Sequence, residues 1–271
     1  MKRALVLGIL AVVLSVLAGS AAGAGPSPGV VYGGPGVASR DGTLRYVAVR
    51  AHGGTLVKAV ASASGQVRRQ RLLRGTFGIP LVAYDGSKGG LSHDGSRLVV
   101  YAPDRGIGPP ATRFVVLDPK TLRVRIRFAL SGNFGFDALS PDGSVMYLIH
   151  VKGQGIDYDV RALDLRSGRL LPGVIVDRRE PDEKMTGAPM TRAGSEDASW
   201  AYTLYSSSYG HPFVHALHTT ARQAFCIDIP FAIPDQVLGK VRMRVVGDKL
   251  VLRAGGKTIA TIDRRTFQVT R

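Results

Sequence analysis

A turn signature, Ser140-Pro141-Asp142-Gly143-Ser144, is followed directly by an apolar run, and this pair of features recurs with variation along the chain. Proline presets φ at the second position of a turn, aspartate offers acceptors to nearby backbone N–H groups, and glycine supplies the positive φ that reverses the chain. The signature therefore predicts a tight hairpin between two strands. The run that follows, Val145 to Ile149, is typical of a strand buried on both faces.

The recurrence of this hairpin predicts five repeat units. A second hairpin, typified by Leu163-Asp164-Leu165-Arg166-Ser167-Gly168, follows the first one in each unit. Equivalent positions of the second hairpin are separated by 57, 46, 54 and 45 residues, and they are Ala61, Asp118, Asp164, His218 and Asp263. A period of this length accommodates four strands and their turns, which is the size of one propeller blade. Because a four-stranded sheet cannot bury both faces alone, neighbouring units must stack on it.

We therefore predict an all-β chain that forms a single β-propeller of about five four-stranded blades over residues 37–271. Residues 25–36 are rich in Gly, Pro and Ser and are predicted to be a flexible tether. Within them, Val30-Val31-Tyr32 is a candidate strand for closing the ring. An open solenoid and a two-sheet sandwich are alternatives, but neither requires the internal repeat.

The two hairpins also carry a family resemblance. Leu139-Ser140-Pro141-Asp142-Gly143-Ser144 with Tyr147, and Leu163 to Gly168, resemble the SPDG and V-x-D-x-x-T/S-G signature of YVTN and related WD40-like propeller repeats of secreted bacterial proteins. The resemblance covers nearly all of residues 37–271 at low identity, and it is best in the second and third units. It implies a propeller of the quinoprotein or lactonase-like type. That group includes enzymes, surface proteins and scaffolds, so the resemblance names no activity.

The N-terminus has the three parts of a secretory signal peptide. Met1-Lys2-Arg3 is a positive head, Ala4 to Leu17 is a hydrophobic run, and Ala22-Gly23-Ala24 supplies small residues for cleavage. The run is shorter than the roughly twenty residues that span a bilayer, and Ser20 stands where a lipoprotein signal would need cysteine. We predict that residues 1–24 are removed, that no stable membrane anchor remains, and that the protein is secreted or extracytoplasmic, in the cell envelope.

The chain is strongly basic, with 36 Lys and Arg against 20 Asp and Glu and a net charge of +16, or +14 once Lys2 and Arg3 are removed. A charge of this size attracts polyanions through a long-range, salt-sensitive field. Outside the cell, these include anionic wall polymers, lipid head groups and acidic glycans. The arginines are scattered and no recognition motif is present, so we predict no nucleic-acid partner. Solvated strand edges are the alternative explanation of the charge.

The sequence carries no motif of a catalytic nucleophile, a metal site or a cofactor. Cys226 lies in an apolar strand, where it is predicted to be a core residue. His211, His215 and His218 lie in or beside a segment with strand character, Phe213 to Leu217, and strand residues four apart are roughly 13 Å from each other. We therefore predict no metal and no cofactor, and favour a protein without catalytic activity.

Binding residues are predicted on the rim where the loops between the second and third strands meet the connections between blades. The candidates combine aromatic and polar groups, as in glycan and protein recognition; they are Asp104, Arg105, Lys152, Asp157, Tyr158, Tyr209, His211, Phe134 and Asp137. The resulting hypothesis is a secreted, monomeric module that binds an unknown protein or an anionic cell-envelope polymer. The alternatives are a carbohydrate-active or lactonase-like enzyme with acids in the central funnel, and a scaffold of an envelope complex.

Overall fold

The computed structural model of the protein describes residues 25–103, 108–153, 157–182, 185–207 and 211–271. The predicted signal peptide, residues 1–24, lies outside the described residues, so its cleavage stays a prediction. Within the described residues the regular structure is almost entirely strand, and α1 (Asp235–Leu238) is a single short helix. The all-β prediction is confirmed. A search of these residues finds no helix with the length and apolar character needed to cross a membrane.

Apart from one two-stranded pair given below, the strands of the described residues form five antiparallel sheets, numbered here 1 to 5, and each of these five keeps its strands in chain order. After β1 (Val30–Val31), sheet 1 contains β2 (Val37–Ala38), β3 (Leu44–Ala51), β4 (Gly54–Ala61) and β5 (Val67–Arg74). β6 (Ile79–Pro80) pairs with β1, and sheet 2 contains β7 (Leu98–Ala102), β8 (Ala111–Leu117) and β9 (Val124–Ser131). Sheet 3 contains β10 (Asn133–Leu139), β11 (Val145–Val151), β12 (Tyr158–Asp164) and β13 (Arg169–Leu170). Sheet 4 contains β14 (Pro189–Gly194), β15 (Trp200–Tyr205), β16 (Phe213–His218) and β17 (Gln223–Asp228). Sheet 5 contains β18 (Arg242–Val246), β19 (Lys249–Ala254), β20 (Lys257–Asp263) and β21 (Val269–Thr270).

The turn signature has the same hydrogen bonds in the first four sheets. In sheet 3, the Ser140 hydroxyl donates to the Asp142 carboxylate at 2.6 Å and accepts the Val145 N–H at 2.9 Å. The corresponding serine-to-aspartate distance is also 2.6 Å in the other three turns, Ser39–Asp41, Ser92–Asp94 and Ser195–Asp197. Gly143 takes a positive φ of 65°, and in sheet 4 its place is taken by Ala198 at 58°. The signature therefore fixes the reversal between the first two strands of each of these sheets.

The sheets stack face to face in chain order. Four clusters of buried apolar side chains join sheet 1 to 2, 2 to 3, 3 to 4 and 4 to 5; the first includes Val57 and Val115, and the last includes Val214 and Leu250. Among the described residues no such cluster joins sheet 5 to sheet 1. The stack therefore shields four interfaces from water and leaves two sheet faces at its ends.

The first strand of sheet 2 is interrupted. Gly78 bridges to Tyr101 and Leu91 bridges to Leu98, so both ends of a first strand are present, and residues 79–90 between them turn inward. This insert contacts sheet 4, because the Tyr84 N–H donates to the Pro189 carbonyl at 2.8 Å. The stack therefore curves, since a segment of sheet 2 reaches the first strand of sheet 4.

Each sequence repeat corresponds to one four-stranded sheet, provided that the interrupted first strand of sheet 2 is counted as a strand. The five equivalent positions identified from the sequence lie at the end of the third strand of each sheet: Ala61, Asp164, His218 and Asp263 are the last residues of β4, β12, β16 and β20, and Asp118 directly follows β8.

The N-terminal segment packs between sheets 1 and 2. Val30–Val31 pairs with Ile79–Pro80, and not with sheet 5 as ring closure would require. The prediction that this segment closes the ring is therefore wrong, because its apolar residues find partners in the insert of sheet 2. The Gly29 carbonyl also accepts the Leu81 N–H at 2.9 Å, so the predicted tether makes backbone contacts with the domain. Its flexibility and the boundary at residue 36 stay predictions.

Candidate functional site

A cavity of about 470 Å³ lies inside the curve of the stack. Its wall comes from the first strands of sheets 1, 3 and 4 and from the insert of sheet 2, and includes Val37, Lys88, Gly89, Phe136, Asp137 and Arg192. Ser92, His93 and Ser195 also line it, so it lies at the end of the sheets where the serine–aspartate turns are. The volume falls within the roughly 300–1,000 Å³ of small-ligand sites.

Glycine shapes the wall on the side of sheet 2. A Cβ at Gly89 would lie 2.6 Å from the Phe136 ring, and one at Gly90 would lie 2.5 Å from the Val99 carbonyl oxygen. The insert therefore needs glycine at both positions to approach sheet 3 and to pair with β7. This close approach places Lys88 in the cavity wall.

Basic side chains dominate the charge of the cavity. The cations Arg40 and Lys88 line it beside the His93 imidazole, and neither cation takes part in an ion pair among the described residues. The Lys88 ammonium donates to the Gly86 carbonyl at 3.0 Å, which orients it without neutralising it. Unpaired cations in a concave surface attract anions, because low-dielectric walls concentrate their field.

The carboxylate in the wall is already neutralised. Asp137 accepts a hydrogen bond from Arg192 across the interface between sheets 3 and 4, and their side chains are 3% and 12% exposed. Arg192 also donates to the Thr203 hydroxyl at 3.0 Å and to the Asp137 backbone carbonyl at 3.1 Å. A buried guanidinium held by these three acceptors is fixed in direction, and it cancels the charge of Asp137.

A row of paired residues runs outward from Arg192 across sheet 4. Arg192 lies opposite Thr203, Thr203 opposite His215, and His215 opposite Cys226. Burial lowers the pKa of His215 to about 4, although the charge of Asp137 opposes this shift. Neither ring nitrogen of His215 has a hydrogen-bond partner within the described part of the chain. The His215 imidazole is therefore neutral at pH 7, and it is buried in the interface between sheets 3 and 4.

Among the described residues predicted for the binding rim, all except Asp137 lie at the opposite end of the sheets, since the second strand of each sheet runs from its serine–aspartate turn to the rim. Asp104, Arg105 and Tyr209 lie outside the described residues. Lys152 pairs with Asp159 at 2.8 Å, Asp157 is half-buried and His211 is exposed. A binding role for these residues stays a prediction.

Three of the predicted rim residues are buried in the structure. Phe134 is 2% exposed and stacks on His150 with ring centroids 4.4 Å apart. Tyr158 is 3% exposed and stacks on Tyr205 at 5.4 Å, within the core between sheets 3 and 4. Asp137 is the cavity carboxylate paired with Arg192. Phe134 and Tyr158 are therefore packing residues here, because the alternation of their strands turns their side chains inward.

His215 and His218 point to opposite faces of sheet 4. Phe213–His218 is a strand, so His215 faces sheet 3, whereas His218 packs on Trp200 at 4.4 Å between ring centroids. Across the described ranges no group of three or more His, Cys, Asp or Glu side chains is arranged to hold a metal ion. Cys226 is partly buried and packs against the core between sheets 3 and 4, near its predicted place.

The basic side chains of the cavity, Arg40, Lys88, His93 and Arg192, were not among the sequence candidates. Arg40 and His93 occupy the second position of the turn signature, where Pro141 stands in the type copy, so the aligned turns contained a signal for both. Lys88 and Arg192 lack such a signal, because their convergence depends on the insert of sheet 2 and on the curvature of the stack.

Comparison with known proteins supports the fold. No protein-family model and no curated protein matches the sequence. Among solved structures, the β-propeller domain of Swd1 from Myceliophteria thermophila has a TM-score of 0.51 at 12% identity, with 91% of this chain and 71% of that chain covered. The chain has a β-propeller fold. The sheets are accordingly called blades below.

This chain matches two further solved structures over only part of their length. BamB from Moraxella catarrhalis has a TM-score of 0.49 at 15% identity, covering 83% of this chain and 60% of that one. An acylaminoacyl peptidase from Pyrococcus horikoshii has a TM-score of 0.51 at 11% identity, covering 86% of this chain and 37% of that one. The chain thus spans about 60% of BamB and about a third of the peptidase. At these identities the likeness concerns the fold alone.

Proposed function

We propose that this protein is an extracytoplasmic β-propeller interaction module that binds an anionic partner through the cavity. The observation that carries the proposal is the charge of the cavity wall: Arg40 and Lys88 have no carboxylate partner among the described residues, and Arg192 neutralises Asp137. A phosphate, sulfate or carboxylate group entering the cavity gains charge-assisted hydrogen bonds there, each worth about 1.5–3 kcal/mol. The partner then contributes anionic groups, and the propeller contributes a rigid frame that holds the cations in place.

The extracytoplasmic location rests on the sequence of residues 1–24, which has the head, apolar run and small-residue end of a signal peptide. The serine–aspartate turns support membership of the WD40-like propeller repeats, with the YVTN family as the specific proposal. A closed ring of five blades is not part of the proposal, because the described residues hold no core between the first and last blades.

Binding without catalysis is favoured by the state of the polar groups in the cavity. Hydrolysis of glycans needs two carboxyl groups in a cooperating pair, and Asp137 is committed to Arg192. The Ser92 and Ser195 hydroxyls donate to Asp94 and Asp197, at 2.6 Å in both cases, which holds them in the turns. These contacts support an interaction module over the lactonase-like or carbohydrate-active alternative.

The proposal is tested with short-chain polyphosphate as the anionic probe and neutral dextran as its uncharged control. Isothermal titration calorimetry at low salt should show polyphosphate binding to the mature protein, weakened at least about tenfold, or about 1.4 kcal/mol, by the double change Arg40→Ala with Lys88→Ala. The matched control is Arg113→Ala with Arg127→Ala, which removes the same charge from exposed positions on β8 and β9. Equal weakening by both double variants would mean that net charge alone drives binding, and the cavity would not be the site.

A further inference from the structure

The outer edge of blade 1 is formed by β5, a strand of eight residues that is exposed along almost its whole length. β5 pairs with β4 on one side, and no backbone hydrogen bond reaches its other side within the part of the chain that the structure describes. Seven of its eight side chains are exposed, and Leu73 is the buried exception. The outer side of β5 therefore presents unpaired backbone N–H and C=O groups, which are a template for a further strand.

The outer strands of the other blades present less exposed edge. β13 and β21 have two residues each, and β9, which also has eight residues, alternates between half-buried and exposed side chains. In blade 4 the chain covers its own edge: Asp177 forms a parallel bridge with Ala224 of β17, and the Asp177 carboxylate accepts the Cys226 N–H at 2.9 Å. A backbone segment held through an aspartate thus lies along one outer edge of this propeller, whereas no described residue pairs with the equivalent edge of blade 1.

One row of β5 side chains is basic. Arg69 and Arg71 lie opposite Ala59 and Val57 of β4, so they share the face of the sheet that packs against blade 2. Both arginines are exposed, and neither takes part in an ion pair among the residues that the structure describes. Two positive charges therefore lie side by side along the unpaired edge.

The opposite row of β5 combines aliphatic and polar side chains. Its members are Val67, Gln70, Leu72 and Arg74, and Arg68 is the extra residue of a β-bulge between the two rows. Leu72 is 51% exposed and Val67 is 41% exposed, so β5 carries two of the five large hydrophobic side chains that are exposed in the described residues. An unpaired edge strand with exposed aliphatic groups tends to pair with another strand.

We propose that β5 binds an extended polypeptide segment in which acidic and aliphatic residues alternate, and that this segment forms a fifth strand of blade 1. In such strand addition the backbone hydrogen bonds supply affinity and the alternate side chains supply specificity. Because successive side chains of a strand point to opposite faces, the carboxylates of the segment meet Arg69 and Arg71 while its aliphatic groups meet Leu72. A second copy of β5 is disfavoured, because its arginines add like charge along the same edge. The edge is separate from the cavity, and this inference does not depend on the proposed function.

The probe for the test is a fluorescent synthetic peptide of repeating Glu-Val dipeptides, and its binding to the mature full-length protein is followed by fluorescence anisotropy. The double change Arg69→Glu with Arg71→Glu should weaken binding about tenfold or more, because it replaces attraction by repulsion beside the edge. Leu72→Ala should weaken binding about threefold, because it removes an aliphatic cross-strand contact on the opposite row. All three side chains are exposed on an outer strand, so both variants are expected to fold.

Two N-methylated peptides separate backbone pairing from simple attraction of charges. They have the sequence of the probe, with alternate residues methylated in one register or in the other. An added strand turns alternate N–H groups towards its neighbour, so methylation in at least one register should abolish binding although every side chain is kept. When the unmodified peptide binds, the amides of β5 that point away from β4 should exchange their hydrogens more slowly.

Two double variants serve as charge controls. Arg244→Glu with Arg253→Glu changes the net charge equally at exposed positions of blade 5, and Arg40→Ala with Lys88→Ala alters the cavity. At physiological salt, where distant charges are screened, both should bind the peptide within about twofold of the unchanged protein. The proposal is overturned if no peptide binding is found, if both N-methylated peptides bind as well as the unmodified one, if the blade 5 variant loses as much affinity as the β5 variant, or if sedimentation shows a dimer that the changes in β5 dissociate.

Discussion

Replacing Asp137 by Asn should lower the stability of the protein and raise its affinity for anions. Asp137 is 4% exposed and carries the negative charge that balances Arg192. Removing one partner of a buried ion pair costs about 3–5 kcal/mol, because an uncompensated charge stays behind. Arg192 keeps its bonds to the Thr203 hydroxyl and the Asp137 backbone carbonyl, so we expect a loss near the lower end of that range, about 3 kcal/mol.

The loss of stability is measured by urea unfolding of the unchanged protein and the Asp137→Asn variant, with the m-value checked for constancy. Asp159→Asn is the matched control, because Asp159 pairs with Lys152, whose side chain is 55% exposed. Exposed pairs contribute about 0–1 kcal/mol, so the control should unfold almost as the unchanged protein does. A loss below about 1 kcal/mol for Asp137→Asn would contradict the buried pair and indicate solvent screening between the two groups.

The same variant separates a binding cavity from a hydrolytic one. Removing the carboxylate leaves Arg192 as a further uncompensated cation in the wall, so polyphosphate should bind to Asp137→Asn several-fold more tightly at low salt. A carboxylate that acted as general acid would instead affect turnover of a glycan or lactone, with little gain in anion affinity. Weaker polyphosphate binding in Asp137→Asn would refute the electrostatic reasoning about the cavity.

Two other predictions follow from the turns and from the buried histidine. Gly143→Ala should destabilise the protein by about 1–2 kcal/mol, because the backbone φ is 65° at this position. Ala198→Gly should stabilise the protein by about 1 kcal/mol, because it relieves the same left-handed conformation, at a φ of 58°. Thermal unfolding measures both changes, and a gain in stability from Gly143→Ala would contradict the turn geometry. His215 has its pKa lowered by burial from 6.5 to about 4, so the unfolded chain binds the proton more readily and the free energy of unfolding should fall as pH drops from about 6.5 towards 4. In His215→Phe the free energy of unfolding should depend less steeply on pH. If the urea midpoints of this variant match those of the unchanged protein across that pH range, another group is responsible for the pH dependence.

Local chemistry made the repeats predictable from the sequence. The Ser-x-Asp turns contain their own hydrogen bonds, so the sequence from Ser140 to Val145 determines the hairpin without help from distant residues. The same turn is present in blade 4 with Ala198 in place of glycine, because its serine and aspartate keep their hydrogen bond. The spacing of the third-strand ends also follows from strand and turn lengths alone.

Properties that depend on long-range packing were not predictable in the same way. The insert of blade 2 turns inward because Gly89 and Gly90 permit close approach to Phe136 and Val99. The local sequence pattern of residues 79–90 does not predict this course of the chain. Asp177 is a similar case: it begins a run of charged residues in the sequence, yet it is 3% exposed and accepts the Cys226 N–H at 2.9 Å. The cavity arises from such contacts between blades, which explains why its cations were missed.

The central claim, that anions enter the cavity at the end of the serine–aspartate turns, is tested most directly by nuclear magnetic resonance of the labelled protein during a polyphosphate titration. We expect amide shifts for Lys88, His93 and the β14 segment around Arg192, all of which line the cavity. Shifts confined to Lys152, Asp157 and His211 at the opposite end of the blades would contradict it and place the contact on the loop rim.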